Sequence, residues 1–211
     1  MPQGVDCGER AVSTGQSGLG EDMSESVRQQ IIISGVGGQG VLFVTRLLAE
    51  AAIDKGLRVF TSETHGMAQR GGTVLSHFKV GTFSSPLIRP SQADALLVLK
   101  AENLVQHGPF LKHGGWVVVN GTQAIKNDHK LSLNSVDADS LAQKIENPKA
   151  VNIITLGYAL AHSETIADNQ INLFCSIADI KAVLNHRFGN KQELLKASLQ
   201  ALEAGYEAAS Q

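Results

Sequence analysis

The chain has 211 residues, of which 43% are apolar, so it is long enough for one domain with a well-filled core. A net charge of −2 argues against a nucleic-acid-binding protein, and the absence of any run of about 18 apolar residues argues against a membrane span. Two cysteines, Cys7 and Cys175, are too few for an iron–sulfur cluster, a structural zinc site or a disulfide framework, and they predict free thiols in a reducing cytoplasm.

Residues 1–28 are rich in glycine, serine and acidic residues, and they contain no apolar segment of the kind found in signal peptides. A segment of this composition buries little apolar surface, so we predict a disordered N-terminal extension. The folded domain is predicted to span residues 29–211.

The first predicted strand is the apolar run Ile31-Ile32-Ile33, which is typical of a parallel strand buried on both faces. The glycine-rich segment Gly35–Gly40 follows, and a helix with one apolar face is predicted over 41–55. Gly56 stands where a C′ residue ends a helix. A second strand, predicted over 58–61, completes a βαβ unit.

The middle of the chain alternates between polar loops and apolar runs. Polar residues and a Gly-Gly pair predict a loop over 62–72, and the alternating pattern over 73–80 predicts a mixed or edge strand. The other elements predicted here are buried strands at 95–99 and 116–119, and a helical stretch over 101–112 that is interrupted at Gly108-Pro109.

The C-terminal part is predicted to be mostly helical. Two pairs resemble capping boxes, namely Ser176 with Asp179 and Asn190 with Glu193. The predicted elements are an edge strand at 131–136 and helices over 137–145, over 152–161, from 176 to 189 and from 190 to about 208. Strand–helix alternation followed by helices predicts an α/β fold, a doubly wound, mostly parallel, Rossmann-like sheet with a helical C-terminal part.

Gly35, Gly37 and Gly40 match G-x-G-x-x-G between a strand and a helix, where this motif binds phosphate groups at the N–H groups of the helix start. The alternative is that these glycines only let the strand turn and the helix pack closely. No Lys-Ser or Lys-Thr follows Gly40, so ATP hydrolysis at a Walker loop is not expected. Glu63 is predicted to lie in a loop instead of at a strand tip, which argues against ordinary NAD binding.

The loop predicted over 62–72 reads Ser-Glu-Thr-His-Gly-Met-Ala-Gln-Arg-Gly-Gly. Because loops at the carboxyl ends of strands share one edge of an open α/β sheet, it is expected to face the glycine-rich segment. Arg70 is able to clamp a carboxylate or phosphate, or equally to pair with Glu63 and brace the loop or a subunit contact. A role for His65 as a catalytic base is a further alternative.

The motifs Gly-Val-Gly-Gly-Gln-Gly from Gly35 and Glu-Thr-His-Gly-Met-Ala-Gln-Arg-Gly-Gly from Glu63, with Val74 and Ser76-His77, resemble the gamma-domain signature of the pyruvate/2-oxoacid:ferredoxin oxidoreductases. The second motif is most similar to the beta subunit of the indolepyruvate type. The resemblance extends from about residue 30 to residue 206 and leaves out the N-terminal extension.

The resemblance implies a division of labour between subunits. Members of this family decarboxylate a 2-oxoacid oxidatively to an acyl-CoA with thiamine diphosphate and magnesium, and pass electrons through iron–sulfur clusters to ferredoxin. This chain has neither the cysteines for clusters nor a Gly-Asp-Gly thiamine diphosphate signature. The implied partner is a large subunit that carries these groups, and this chain is expected to shape the active-site region, including its coenzyme A side, and to be inactive alone.

The residues predicted to contact a cofactor are Gly35, Gly37, Gly38, Gln39, Gly40, Glu63, His65, Gln69, Arg70 and Gly71. No catalytic residue and no metal ligand is assigned. One alternative function is a free-standing, Rossmann-type nucleotide-binding oxidoreductase, which would bind nucleotide stoichiometrically. Another is a regulatory nucleotide-binding module without chemistry.

Overall fold

The computed structural model describes residues 27–66, 72–121, 132–165 and 172–209, so most of the predicted N-terminal extension lies outside it. Val27, the first described residue, packs a partly buried side chain against the core. The strands are β1 (Gln29–Val36), β2 (Val59–His65), β3 (Thr73–Val80), β4 (Ala93–Val98), β5 (Leu111–Asn120) and β6 (Ser132–Val136). The helices are α1 (Val41–Asp54), α2 (Asn103–His107), α3 (Ala138–Lys144), α4 (Val151–Thr165), α5 (Ile177–Phe188) and α6 (Gln192–Ala208), with a 3₁₀ turn at Gly108–Phe110.

The six strands form one sheet in the order β2-β3-β1-β4-β5-β6. β1, β4, β5 and β6 are parallel, whereas β3 runs antiparallel to both of its neighbours, β1 and β2. The predicted α/β fold with a mostly parallel sheet and a helical C-terminal part is confirmed. The alternative that β3 is an edge strand is wrong, because β3 lies inside the sheet and separates β1 from β2.

Two hydrophobic clusters cover the two faces of the sheet. Alternation along β1 sends Ile31 and Ile33 into one cluster and Ile32 into the other. The larger cluster includes residues of α1, α3, α4, α5 and α6. The smaller cluster includes Leu104 of α2 and Ile88 of the loop between β3 and β4. Long helices therefore cover one face, and a helix of five residues with neighbouring loops covers the other.

β2 extends further than its polar sequence predicts. Residues as far as His65 pair with β3, and Glu63 lies opposite Ser76. The expectation that Glu63 lies in a loop is therefore wrong. Pairing with β3 satisfies the backbone groups whatever the polarity of the side chains, and the edge position of β2 leaves Glu63 exposed to solvent.

The helix predicted over 101–112 is also shorter in the structure. It is confined to α2 and the 3₁₀ turn, and Leu111 begins β5 by pairing with Ala93 of β4. Gly114 has φ 79°, and the register between the two strands shifts beside it. The Gly-Gly pair thus lies in an irregular part of β5 instead of preceding the strand, because extra residues in a strand are most easily accommodated by glycine.

The two predicted capping boxes have different outcomes. That of α5 is confirmed, since Ser176 Oγ accepts from Asp179 N at 3.4 Å and Asp179 Oδ2 accepts from Ser176 N at 2.8 Å. That of α6 is wrong, because the N-cap is Lys191 and it forms no side-chain capping bond. Asn190 lies one residue too early to cap a helix that begins at Gln192.

Glycines allow α4 and α6 to pack with their backbones in contact. A Cβ atom at Gly157 of α4 would overlap the carbonyl oxygen of Leu202, and one at Gly205 of α6 would overlap the carbonyl oxygen of Ile154. The glycine that interrupts the apolar pattern of α4 is therefore required by the neighbouring helix.

Candidate functional site

The glycine-rich segment joins the carboxyl end of β1 to the start of α1. Gly38 and Gly40 have φ of 92° and 80°, which L side chains rarely adopt. A Cβ atom at Gly40 would also overlap the amide of Asn152 in the first turn of α4. The backbone conformation of Gly40 therefore favours glycine, and a side chain there would displace the amide of Asn152.

The start of α1 presents backbone N–H groups that have no acceptor among the described residues. Gly40 is the N-cap without a side-chain bond, and the first turn contains no acidic residue. Phe43 N and Val44 N donate to the carbonyl oxygen of Gly40. Within the described part of the chain, no acceptor pairs with the N–H groups of Gly38, Gly40 and Leu42. With the positive end of the helix dipole, they form a place where an anion is stabilised.

The side chain of Gln39 is used inside the glycine-rich segment. Its Oε1 accepts from Val36 N at 2.8 Å, and its Nε2 donates at 3.2 Å to the carbonyl oxygen of Leu99, directly after β4. Gln39 N donates in turn to the carbonyl oxygen of Val36 at 3.1 Å. Gln39 therefore braces the turn, and its predicted contact with a cofactor stays a prediction.

One hydrogen bond joins the two loops that the sequence predicts to face each other. Gly37 N donates to the carbonyl oxygen of Gly72 at 3.0 Å. Gly72 directly precedes β3, which lies beside β1, so the 62–72 loop reaches the glycine-rich segment through the start of β3. The predicted proximity is confirmed, although the strands β1 and β2 are not neighbours.

The structure describes the predicted residues of the 62–72 loop only in part. Glu63 is exposed on β2, and the backbone of His65 ends that strand. Gln69, Arg70 and Gly71 lie outside the described residues, so their contacts with a cofactor stay predictions. The same holds for the brace between Glu63 and Arg70.

A buried polar network supports the end of β1, and the sequence analysis missed it. Ser34 Oγ lies 2.7 Å from His107 Nδ1, and Asn103 Nδ2 donates to Ser34 Oγ at 3.1 Å and to the Gly35 carbonyl oxygen at 2.8 Å. All three side chains are buried, and burial lowers the pKa of His107, which favours the neutral imidazole. The available signal was the polar Ser34 directly after the apolar run Ile31–Ile33.

Two asparagines form hydrogen bonds that connect further elements to the carboxyl ends of the parallel strands. Asn120, at the end of β5, donates to the Leu99 carbonyl oxygen at 3.3 Å and to Asp139 Oδ2 of α3 at 2.8 Å. Asn152 Nδ2 of α4 lies 3.4 Å from the Gly40 carbonyl oxygen. The glycine-rich segment is thus held by α4 as well as by β4.

The described ranges include no candidate metal site, and the thiol of Cys175 is not reactive. Among these residues, no group of three or more His, Cys, Asp or Glu side chains is placed to hold a metal ion. Burial, with a smaller contribution from Asp179, raises the pKa of the Cys175 thiol to about 12, so this thiol stays protonated at neutral pH. Nor does any helix in those ranges have the length and apolar character needed to cross a membrane.

Comparison with protein families shows which family carries the two joined loops. The family model described as pyruvate ferredoxin/flavodoxin oxidoreductase matches residues 30–208, a range that contains both loops and all of the sheet except Gln29. The chain belongs to this family. The resemblance based on the two glycine-containing motifs is therefore confirmed.

Relatives within the family are oxidoreductase subunits. Indolepyruvate oxidoreductase subunit IorB of Archaeoglobus fulgidus is 29% identical over 200 residues, which cover 85% of this chain and 94% of that protein. IorB of Thermococcus kodakarensis is 26% identical over 203 residues, covering 86% and 96%. Ketoisovalerate oxidoreductase subunit VorA of Methanothermobacter thermautotrophicus is 28% identical over 191 residues, covering 88% of this chain and 37% of that protein.

Solved structures share the fold. The 2-oxoglutarate:ferredoxin oxidoreductase from Magnetococcus marinus, with 2-oxoglutarate, coenzyme A and succinyl-CoA bound, aligns with a TM-score of 0.69 at 22% identity, over 87% of this chain and 31% of that chain. Pyruvate oxidoreductase subunit PORC from Thermotoga maritima aligns with a TM-score of 0.68 at 22% identity, over 86% of this chain and 96% of that one. These identities establish the likeness of fold alone.

Proposed function

We propose that the chain is the small subunit of a 2-oxoacid:ferredoxin oxidoreductase that acts on indolepyruvate or a related aryl-pyruvate. The reaction is the oxidative decarboxylation of the 2-oxoacid to an acyl-CoA, with electrons passed to ferredoxin. The aryl-pyruvate assignment is supported by the two IorB relatives, which this chain matches over 94% and 96% of their lengths.

The observation that carries the proposal is the joined pair of loops. The bond from Gly37 N to the carbonyl oxygen of Gly72 joins the end of the 62–72 loop to the glycine-rich segment that leads into α1. The N–H groups of Gly38, Gly40 and Leu42 suit a phosphate group, and the glycines let it approach the backbone closely. Coenzyme A carries phosphates, so these N–H groups would hold one of them on the side of the active site that this chain shapes.

Thiamine diphosphate, magnesium and the iron–sulfur clusters belong, in this proposal, to a large partner subunit. A cluster takes about four thiolate ligands, whereas the whole chain has two cysteines and the thiol of Cys175 is held protonated. On the partner, thiamine diphosphate supplies the decarboxylation chemistry and the clusters carry electrons to ferredoxin. The present chain contributes backbone donors and the 62–72 loop at the edge of that active site.

A free-standing nucleotide-binding oxidoreductase is the second candidate, and the position of Glu63 argues against it. In a standard dinucleotide site, the acid that binds the ribose lies on the strand next to β1. Here β3 occupies that position, and Glu63 lies one strand further away, about 10 Å from β1 across the sheet. Glu63 therefore lies on a strand, as a dinucleotide site requires, but that strand is not adjacent to β1.

Activity of the separate chain and of the assembled complex tests the proposal. The isolated chain is expected not to reduce a viologen acceptor with indolepyruvate and coenzyme A, because it lacks electron-carrying ligands. Co-expression with the large subunit is expected to give turnover that depends on coenzyme A. Turnover by the purified chain alone, or stoichiometric binding of NAD to it, would contradict the proposal.

Arg70 tests the contribution of the 62–72 loop. Arg70→Ala is expected to keep the melting temperature and to lower turnover of the complex, because an exposed ion pair contributes about 0–1 kcal/mol to folding, whereas truncating a buried charge pair at an interface costs about 2–5 kcal/mol. Arg70→Lys, which keeps the charge but loses the bidentate geometry, is expected to retain intermediate turnover. An equal drop in melting temperature for Arg70→Ala and Glu63→Gln, with turnover unchanged, would instead favour the brace.

A further inference from the structure

A cavity lies at the opposite end of the central strands from the glycine-rich segment. Its volume is about 510 Å³, and its lining includes Arg28, Lys79, Phe83, Ser84 and Arg89, which together define the basic pocket. The amino ends of β1 and β4 and the carboxyl end of β3 bound it, and the loop between β3 and β4 forms its outer wall. The length of β1 separates it from the start of α1 by roughly 20 Å, so the two places are distinct.

Lys79 forms the floor of the basic pocket and is the buried cation among its lining residues. It is 6% exposed and lies on β3 opposite Gln30 of β1, on the face of the sheet that loops and the short α2 cover. Its ammonium lies 4.8 Å from the centre of the Phe83 ring, and the guanidinium of Arg28 lies 4.6 Å from the same centre. Two cations thus share one aromatic ring.

The positive charge of the basic pocket has no counter-charge among the described residues. No ion pair within those ranges involves Arg28, Lys79 or Arg89. The nearby carboxylate of Asp94 is already occupied by Gln30 N at 2.7 Å and by Lys112. Burial, followed by repulsion from Arg28 and Arg89, lowers the pKa of Lys79, so an anion in the pocket would relieve an existing repulsion.

We propose that the basic pocket binds a small molecule through a phosphate group. Guanidinium and ammonium groups are the side chains that proteins use for phosphate, and the exposed hydroxyl of Ser84 adds a further donor. The cavity falls within the range of about 300–1,000 Å³ that is typical of small-molecule sites. Concavity favours a small molecule over a flat protein surface, because the buried Lys79 lines the cavity.

Titration of the full-length chain with inorganic pyrophosphate tests this proposal. The wild-type chain is expected to bind pyrophosphate, and Lys79→Met and Arg89→Gln are each expected to raise the Kd at this site at least about tenfold. Arg89 is exposed, so its variant reports on the pocket even if Lys79→Met does not fold. The matched control is Lys100→Met, which removes an exposed lysine that pairs with Glu102 and is expected to keep the wild-type Kd.

The start of α1 is a second place where pyrophosphate could bind, and Gly38→Asp separates the two. This variant is expected to keep the wild-type Kd of the basic pocket, which Lys79→Met raises. Binding that Gly38→Asp abolishes and Lys79→Met retains would overturn the proposal. Binding that disappears when the chain assembles with the large subunit, together with weaker assembly of Lys79→Met, would identify the pocket as a partner interface and would overturn it too.

Discussion

Gly38 is the residue at which an added charge competes most directly with an anion at the start of α1. Its φ of 92° is tolerated best by Asn and Asp among L residues, and a Cβ atom there meets nothing within 4 Å. In the assembled complex, Gly38→Asp is expected to raise the KM for coenzyme A about tenfold over Gly38→Asn, because the carboxylate repels the phosphate at a cost of about 1.4 kcal/mol.

The isosteric Gly38→Asn variant is the control for this comparison, since it carries the same backbone strain and differs only in charge. Steady-state kinetics at several coenzyme A concentrations, with indolepyruvate saturating, provide the measurement. Equal KM values for the two variants would mean that no anion binds at the start of α1, and the glycines would then serve only the turn and the packing of α4.

His77 makes the stability of the chain depend on pH. It is buried, its Nδ1 accepts from Ile88 N at 3.2 Å, and its pKa is lowered by burial and then by Lys79 and His107. Between pH 6.5 and the lower pKa of the folded state, this histidine therefore binds more protons in the unfolded chain than in the folded chain. The free energy of unfolding is expected to fall as the pH drops from 6.5 through the folded pKa, by up to about 1.4 kcal/mol per pH unit for this group.

Urea unfolding of the wild type and of His77→Asn between pH 7.5 and pH 5 would measure this dependence (about 6.5 being the unperturbed pKa of histidine). Asn places an oxygen near the position of Nδ1, so it keeps an acceptor for Ile88 N and removes the titration. The variant is expected to show a shallower slope. Identical slopes would show that His77 binds its proton equally well in the folded chain.

At the scale of elements, the contact between α4 and α6 depends on two glycines. Gly157→Ala and Gly205→Ala are each expected to lower the free energy of unfolding by about 3 kcal/mol, because the added methyl overlaps a carbonyl oxygen of the facing helix. Gly108→Ala is the matched control, since Gly108 has φ −50° and a new Cβ atom would meet nothing closer than 3.9 Å. Chemical denaturation that finds all three variants alike would contradict this account of the contact.

Secondary-structure elements are predicted correctly where local sequence signals agree, and wrongly where pairing with a distant strand determines the conformation. The apolar run at Ile31–Ile33 and the capping box at Ser176 specify a strand and a helix start locally, and both are confirmed. Glu63 lies in a strand because β3 pairs with it, and Leu111 lies in a strand because β4 does. Propensity carries no information about such distant partners, so these residues could not be assigned from local sequence.

At the scale of the whole molecule, the N-terminal extension is expected to contribute little to stability. Deletion of residues 1–26 keeps Val27, which packs against the core, and is expected to change the free energy of unfolding by less than about 0.5 kcal/mol, since the removed segment is poor in apolar residues. Calorimetry provides the measurement. A loss of more than about 1 kcal/mol, equivalent to roughly 2–4 °C in Tm, would mean that the extension packs on the domain.

The sequence by itself determined the α/β class, the family and the glycine turn between β1 and α1. Hydrophobic periodicity, composition and short motifs are local properties, so they can be read without knowing which segments pack against each other. Only the tertiary structure decided that β3 separates β1 from β2, that Gly37 bonds to Gly72, and that Ser34, Asn103 and His107 form one buried network. These features join residues that are about 35–70 positions apart in the sequence. Strand order and long-range side-chain contacts depend on the packing of the whole chain.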